Sequence, residues 1–476
     1  MEKLIGREAE KSLLREALES GEPELVALFG RRRVGKTFLV RQYFAEKLAF
    51  SFTGTRDASL SQQLINFNKT LGKAAGNEKL YRTPDTWAEA FDQLSYFLTP
   101  QLTKERQVIF LDEFPWMNTH KSGFLPAFDH WWNSWGNSQQ NLVVIICGSA
   151  ASWMIQHVVN SKGGLHNRIT RKIRLLPFNL KETELFLTTR NIHLDRYQTL
   201  QLYMIMGGIP HYLKEVRKGE SVTQTVDRVC FTKDGLLESE FKNLYHSLFD
   251  EATRHLSIVK ALATNNQGLT RNEIISKTGL SSGGTITLLL EELIESGFVT
   301  AWQPYDKKSR DTIYKLADEF THFYLKFMDG NRSSGKGTWE RLSVSPSWKS
   351  WSGVAFERLC LKHIPGIKRE LGIAGIYTET SAWRYLSKTG KGAQIDLLLD
   401  RKDFVITMCE MKFSETAFTI DKNYAADLEN KKEVFKRHSK TKKSIFQAFI
   451  TSFGLKNNDY AKRLVQNSIT MDTLFE

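Results

Sequence analysis

Apolar residues along this chain follow two rhythms. Residues 25–29 (LVALF), 108–111 (VIFL) and 142–147 (LVVIIC) are uninterrupted apolar runs with no polar face. Such runs predict strands covered on both sides in a parallel sheet. Residues 38–48 (FLVRQYFAEKL) instead space their apolar positions as an amphipathic helix does. Strand, glycine-containing loop and helix in that order predict an α/β first half. Three tryptophans between 131 and 135 predict buried packing or a subunit contact in preference to base stacking.

The rhythm changes near residue 255. Residues 256–263 (LSIVKALA) read as one helix. The next opens with Thr270 as its N-cap and closes at Gly279. Ser281 is the expected cap of a third, which runs through Thr285, Leu288, Leu289 and Leu293 to Gly297. Residues 298–302 (FVTAW) start a hairpin around 306–310 (DKKSR), and 312–316 (TIYKL) return. Three helices and a hairpin spell a winged helix-turn-helix. Its third helix carries Glu291, Glu292 and Glu295 and no Lys or Arg between Ser281 and Phe298, so only the wing, with Lys307, Lys308 and Arg310, is basic. Base readout and phosphate contacts need donors and positive charge, which favours a structural or regulatory module over a sequence reader.

With 476 residues the chain is too long for one core. Hydrophobic and charged contents of 41% and 25% are ordinary for a globular protein. A net charge of +13 and a pI near 9.3 make a polyanionic partner, DNA above all, plausible. Cys147, Cys230, Cys360 and Cys409 form no CxxC pair, which fits a reducing cytoplasm and no structural zinc. Met1 opens onto charged residues, and no apolar run approaches the length of a membrane span, so neither a signal peptide nor a membrane contact is expected.

The chemistry begins at residues 30–37, GRRRVGKT, a complete G-x-x-x-x-G-K-T phosphate loop. Gly30 and Gly35 permit backbone angles that aim N–H groups inward, and the following helix N-terminus adds its dipole. Lys36 would reach the β- and γ-phosphates of a nucleoside triphosphate, and the Thr37 hydroxyl would ligate Mg²⁺. Arg31, Arg32, Arg33 and Val34 belong to the same nucleotide-binding loop; the arginines add favourable potential, and these intervening positions are expected to point outward. The run at 107–111 ends in Asp112 and Glu113. Ligands of parallel sheets sit beyond the carboxyl ends of strands. Asp112 would therefore hold the Mg²⁺ shell, and Glu113 would orient and deprotonate the attacking water.

This order of parts, closed by Ser149 after residues 142–148, resembles the AAA+ and STAND class of P-loop ATPases, in particular the archaeal-type branch that also occurs in bacteria. Residues 4–10 (LIGREAE) resemble the family's opening motif, where Ile5, Gly6 and Arg7 would lie near the adenine. The resemblance makes Ser149 a polar sensor. It makes Arg168, within residues 165–173 (LHNRITRKI), an arginine finger, with Arg171 and Arg174 as competitors. A guanidinium there would stabilise γ-phosphate charge, and a finger acting between subunits implies a homo-oligomer. Residues 207–210 (GGIP) match the family's lid signature, which brings Pro210 to the nucleotide.

A Ser/Gly-rich stretch, 329–337, reads as a linker. Beyond it, 351–360 is an amphipathic helix containing Glu357, and 392–399 and 404–413 read as strands carrying Asp396, Glu410 and Lys412. Glu410 and Lys412 share a strand face, and a hairpin would bring Asp396 beside them. Glu357, Asp396 and Glu410 make an oxygen site suited to a second Mg²⁺ or Mn²⁺, and Lys412 would steady the attacking water. This order resembles the PD-(D/E)xK nuclease fold with its αβββαβ core, although Ile395 stands where the namesake proline would be. An active nuclease, a silent relative of that fold and a plain hairpin with an ion pair all remain open. A basic tract at 436–443 (KRHSKTKK) would track phosphates or be a solvated helix end.

The fold expected is therefore α/β. A P-loop NTPase core (1–180) would be followed by a helical lid (181–250), a winged helix (251–330), a linker (331–345) and an α+β, PD-(D/E)xK nuclease-like domain (346–476). The function expected is Mg²⁺-dependent ATP hydrolysis controlling a DNA-binding or DNA-cutting C-terminal domain. The alternative is an ATP-driven signalling or defence-type assembly switch whose C-terminal domain binds a partner without catalysis.

Overall fold

Strands β1 (Glu24–Phe29), β2 (Leu48–Thr53), β3 (Gln107–Asp112), β4 (Leu142–Gly148) and β5 (Arg171–Arg174) form one sheet in the order β2-β3-β4-β1-β5. Every pairing is parallel. β1, β3 and β4 are buried at every position, which is the physical reason their sequences show no polar alternation. The computed structural model describes residues 3–76, 82–149, 151–159, 165, 167–249, 251–306, 311–330, 335–385 and 392–476. Two compact units divide the chain: Met1–Pro177 with Lys242–Ala252 and Glu295–Gly297, and Phe178–Phe241 with Thr253–Ile294 and Phe298–Glu476.

In the first unit the loop after β1 and the acids after β3 flank the end of β4, so three strand ends present their chemistry together. An aromatic core including Phe50, Phe67, Trp87, Phe91, Phe128, Trp131 and Trp132 underlies this sheet. The tryptophans at 131–135 are thus packing residues, and the Trp131 indole N–H donates to Ser95 Oγ at 2.7 Å.

The second unit begins with helical segments. Helix Arg196–Met206 ends at Gly207, whose φ is 64°, and Pro210 opens the short helix Pro210–Leu213. Next come helices Ala252–Ala263, Arg271–Thr278 and Gly284–Glu295 with a small antiparallel sheet. Its strands β6 (Leu269–Thr270), β7 (Val299–Trp302) and β8 (Ile313–Leu316) lie in the order β6-β8-β7. Thr270 caps its helix through a capping box with Glu273, and Gly279 closes it at φ 70°. Ser281 does not cap the third helix, which starts at Gly284; Arg271 instead holds the carbonyls of Ser282 and Gly283. The apolar face also differs from the expected one: Ile286, Leu289, Leu290 and Leu293 are buried, while Leu288 is exposed. The expected acidic surface shrinks as well, because Glu292 is buried against His255 Nε2 at 2.7 Å. Lys307, Lys308 and Arg310 of the wing lie outside the described residues.

The stretch expected as a linker is structured from residue 335 on. Helix Thr338–Leu342 buries Trp339, and the N–H groups of Gly337 and Trp339 both donate to Asp227 at 2.7 Å. The C-terminal sheet contains β9 (Thr378–Tyr385), β10 (Ala393–Arg401), β11 (Val405–Lys412), β12 (Ser444–Thr451) and β13 (Asn467–Thr470), ordered β13-β12-β11-β10-β9. β9, β10 and β11 pair antiparallel, and β11, β12 and β13 parallel. Helix Pro346–Lys362 precedes β9, with the short helix Ile364–Glu370 intervening, and helix Lys422–Ser439 joins β11 to β12. Among the described residues no helix is long and apolar enough to cross a membrane.

Candidate functional site

The loop after β1 is shaped by three left-handed or extended-positive residues, Gly30 (φ 142°), Arg33 (φ 70°) and Gly35 (φ 95°). At Gly30 a β-carbon would stand 2.3 Å from the Leu175 carbonyl oxygen, so that position admits no side chain. Lys36 folds back over the loop and donates to the carbonyls of Gly30 (2.8 Å) and Arg31 (2.9 Å). An ammonium has three donors, and the third remains for a phosphate. Burial pushes the Lys36 pKa down, opposed by Cys147, Glu113 and Asp112.

Thr37 is the second residue of the helix Lys36–Tyr43, and its hydroxyl donates to Asp112 Oδ2 at 2.8 Å. Two oxygens that close, a hydroxyl and a carboxylate, form an edge of the oxygen set a hard divalent cation takes. The residues present fit Mg²⁺. The neighbouring Glu113 adopts the left-handed conformation (φ 47°), its own N–H donating to Asp112 Oδ1 at 3.1 Å. Its Oε2 accepts from both the N–H (3.1 Å) and the hydroxyl (2.8 Å) of Ser149. Thr37, Asp112, Glu113 and Ser149 thus form one continuous chain of polar contacts across three strand ends. Non-glycine residues in the left-handed region are uncommon and gather where a site needs them.

Arg7 is buried, and its guanidinium donates to Val34 O (3.0 Å) and Leu176 O (2.6 Å). Its part is to clamp the phosphate loop to the segment after β5; Ile5 and Gly6 precede it, half-buried. Arg31 and Val34 are buried, against the expectation that the intervening loop positions point outward, while Arg32 and Arg33 are half-buried. Among the three candidate fingers, Arg171 pairs with Glu16 and Glu24, and Arg174 with Glu295. Arg168 is exposed and makes no side-chain hydrogen bond or ion pair among the described residues. Pro210 belongs to the other compact unit. One participant was not anticipated: the Cys147 thiol, buried near the end of β4, has its pKa raised by burial and then by the Asp112 carboxylate. Its place two residues before Ser149 was the available signal.

These features can be set beside known proteins. Residues 4–216 match a family described as an ATPase domain predominantly from Archaea. The first half of this chain is similar to an archaeal ATPase domain. The Walker-type ATPase of Pyrococcus abyssi superposes with a TM-score of 0.50 at 20% identity, over 68% of this chain and 96% of that one; this likeness shows the fold. The ORC2 protein of Aeropyrum pernix gives 0.41 at 14% identity, over 72% and 96%. An uncharacterized protein of Methanocaldococcus jannaschii is 23% identical over 420 residues, covering 86% of this chain and 88% of its own length.

A second cluster lies in the C-terminal sheet. β10 and β11 form the expected antiparallel hairpin, in which Leu397 faces Cys409; Asp396 and Glu410 are the residues that follow that pair outward along the two strands. The pairing of β10 with β9 shifts between Ile395 and Leu398, an irregularity of the kind that re-aims a side chain. Glu357, on the helix Pro346–Lys362, has its pKa pushed up to about 7 by burial and then by Asp396. Lys412 stands 3.7 Å from Glu410 on the same strand face. Glu410 is nonetheless occupied: Lys431 donates to Oε1 at 2.5 Å, and the Tyr424 hydroxyl to Oε2 at 2.9 Å. Asp396 accepts from Gln394 at 2.6 Å. Among the described residues no group of three or more His, Cys, Asp or Glu is placed to hold a metal ion, so Glu357, Asp396 and Glu410 converge without forming a three-ligand cluster. Tyr424 and Lys431 were missed because helix Lys422–Ser439 reads as a solvated charged helix, and nothing in its spacing marks one face as turned to β11.

Proposed function

We propose that this chain is a Mg²⁺-dependent ATPase whose nucleotide state controls its C-terminal region, which acts on or binds DNA. The observation that carries the first part is the polar chain Thr37–Asp112–Glu113–Ser149 beside the phosphate loop. Backbone N–H groups of residues 30–37 and the free donor of Lys36 would hold the phosphates. Mg²⁺, held by Thr37 and Asp112, would neutralise charge spreading onto the phosphate oxygens. Glu113, fixed by Ser149, would take a proton from water as that oxygen bonds to the γ-phosphorus and the bond to the ADP oxygen breaks. Arg168, exposed and without a side-chain partner among the described residues, is the residue suited to act as finger from a neighbouring copy. The Glu113→Gln variant tests this: it should bind nucleotide as the parent does and hydrolyse about 10²–10⁴-fold more slowly. Turnover at the parent rate would show that Glu113 is not the base.

For the remainder of the chain we propose a lid (181–250), a winged helix (251–330) and a nuclease-like domain (346–476). The three helices with the β7–β8 pair after them and β6 between the first two support the second, and the helix-βββ-helix-β order with converging Glu357, Asp396 and Glu410 supports the third. The engagement of Glu410 by Tyr424 and Lys431 favours the other reading, an ATP-driven assembly switch whose C-terminal domain binds a partner without cutting. Incubating plasmid with Mg²⁺ or Mn²⁺, with and without ATP, separates them. Cleavage abolished by Glu410→Ala or Lys412→Ala supports a nuclease; salt-dependent DNA binding without cleavage, or no binding, supports the switch.

A further inference from the structure

A pocket opens between the β7–β8 hairpin and the helix Pro346–Lys362, lined among others by Trp302, Lys315, Leu316, Arg358, Leu361 and Lys362. The room inside it for water-sized groups is about 30 Å³, and three of those six residues are cationic. Lys362 pairs with Glu319. Arg358 has no such contact: its Nε and Nη1 are buried without a hydrogen-bond partner. Lys315 is buried too, and makes no side-chain hydrogen bond or ion pair among the described residues. Glu319 and Glu357 act on Arg358, and Asp396 and Glu357 on Lys315, only as longer-range charges.

A charged donor withdrawn from water with nothing to accept its hydrogens forfeits its solvation. Arg358 is such a donor, and with the Lys315 ammonium at the same apolar-walled pocket it calls for an acceptor from outside. Three cations face one directly paired carboxylate, Glu319, and Glu357 and Asp396 offset the excess only as longer-range charges, so the pocket itself favours an oxyanion. The planar guanidinium fork matches phosphoryl geometry, and apolar walls strengthen the attraction by excluding water. We infer that this pocket is a phosphate-binding site, in which Arg358 and Lys315 grip a phosphoryl oxyanion from free phosphate or from a nucleic-acid strand. The assignment does not depend on whether the neighbouring carboxylates cut anything.

The test uses the full chain carrying Lys36→Ala, so that the phosphate loop does not report. Melting is followed with inorganic phosphate, or a short single-stranded oligonucleotide, against chloride at equal ionic strength. Phosphate or oligonucleotide should raise the midpoint by about 1–3 °C at tenfold saturation or more. The rise should vanish when Arg358→Met is added, while that variant alone melts no lower, because an apolar chain replaces an unpaired buried charge. If Arg358→Met does not fold, Lys315→Met carries the test by shifting the half-saturating concentration at least about fivefold. A rise with both ligands or with free phosphate assigns an ion site, and a rise with the oligonucleotide alone assigns a strand site. No rise with either ligand, or a rise that survives the substitutions, overturns the inference.

Discussion

Removing one hydroxyl, Ser149→Ala, tests how the proposed base is held. Glu113 Oε2 accepts two hydrogens from Ser149, one from the hydroxyl at 2.8 Å and one from the main chain at 3.1 Å. Alanine deletes the shorter bond and keeps the other, so the carboxylate is loosened without being abandoned. A hydrogen bond to a charged group contributes about 1.5–3 kcal/mol. Glu113 also sits at φ 47°, a conformation costing about 1–2 kcal/mol for a non-glycine residue, which those bonds help to maintain. If the lost bond acts in the transition state, kcat falls about 10- to 100-fold at 1.4 kcal/mol per decade. Binding of ADP, which does not use the attacking water, should stay within about threefold by the same scale. Ser149→Thr, which keeps a hydroxyl, should recover most of the rate. ADP release in steady state, with a fluorescent ADP analogue for affinity, provides both numbers. An unchanged or raised kcat in Ser149→Ala would refute the positioning role, and an equal loss of kcat and affinity would reassign Ser149 to the architecture of the site.

Three further outcomes follow from packing and charge. Gly208→Ala would set a β-carbon 1.8 Å from the Phe178 carbonyl oxygen, and Phe178 N–H donates to Gly208 O at 2.7 Å; a loss of at least about 3 kcal/mol is expected in urea unfolding. His255→Ala removes the 2.7 Å contact to the buried Glu292 and should cost about 1–3 kcal/mol, whereas changing both residues to leucine should cost less, a difference a double-mutant cycle reads directly. Burial pushes the His363 pKa down to about 4. Below its unfolded value of about 6.5 the unfolded chain therefore binds a proton that the folded chain refuses, so stability present near neutrality is lost as pH falls from about 6.5 to 4. That loss reaches at most about 3 kcal/mol, and His363→Gln should flatten it in urea midpoints measured across the window.

The cluster around the phosphate loop was legible because its geometry is local. The spacing of Gly30, Gly35, Lys36 and Thr37 is dictated by one turn, and two carboxylates end a strand whose apolar run announces its burial. Ser149 follows β4 for the same reason, and the Thr270 cap with its Glu273 and Gly279 companions is equally local. What failed was phase and company. The third helix of the middle region begins at Gly284, three residues past the serine that could have capped it, because Arg271 claims the intervening carbonyls. Its glutamates read as surface charge, yet Glu292 is an interior partner of His255, a pairing across 37 positions that no local rule predicts. The Ser/Gly-rich stretch reads as a tether, but Asp227 anchors its far end and Trp339 is buried there.

The C-terminal cluster shows why residue type and spacing stop short of function. Asp396 and Glu410 near the same end of the hairpin follow from its pairing, and Glu357 from one helix packed on β11, so the convergence of acids was derivable. Their charge balance was not. Lys412 was expected, but Lys431 and Tyr424 come from a helix after the hairpin, and Lys315 from the middle sheet. Lys431 and Tyr424 each take one lone pair of the Glu410 carboxylate, which leaves about half of its acceptor capacity for a divalent cation and places an ammonium where that cation's charge would be repelled. The rise of the Glu357 pKa to about 7 points the same way: burial beside Asp396 is only partly relieved by Lys412 and Lys315, and added positive charge would be drawn to it. Whether that charge is a metal or the lysines already present decides between cutting and binding, and the decision rests on distances of a few ångströms that sequence spacing does not encode.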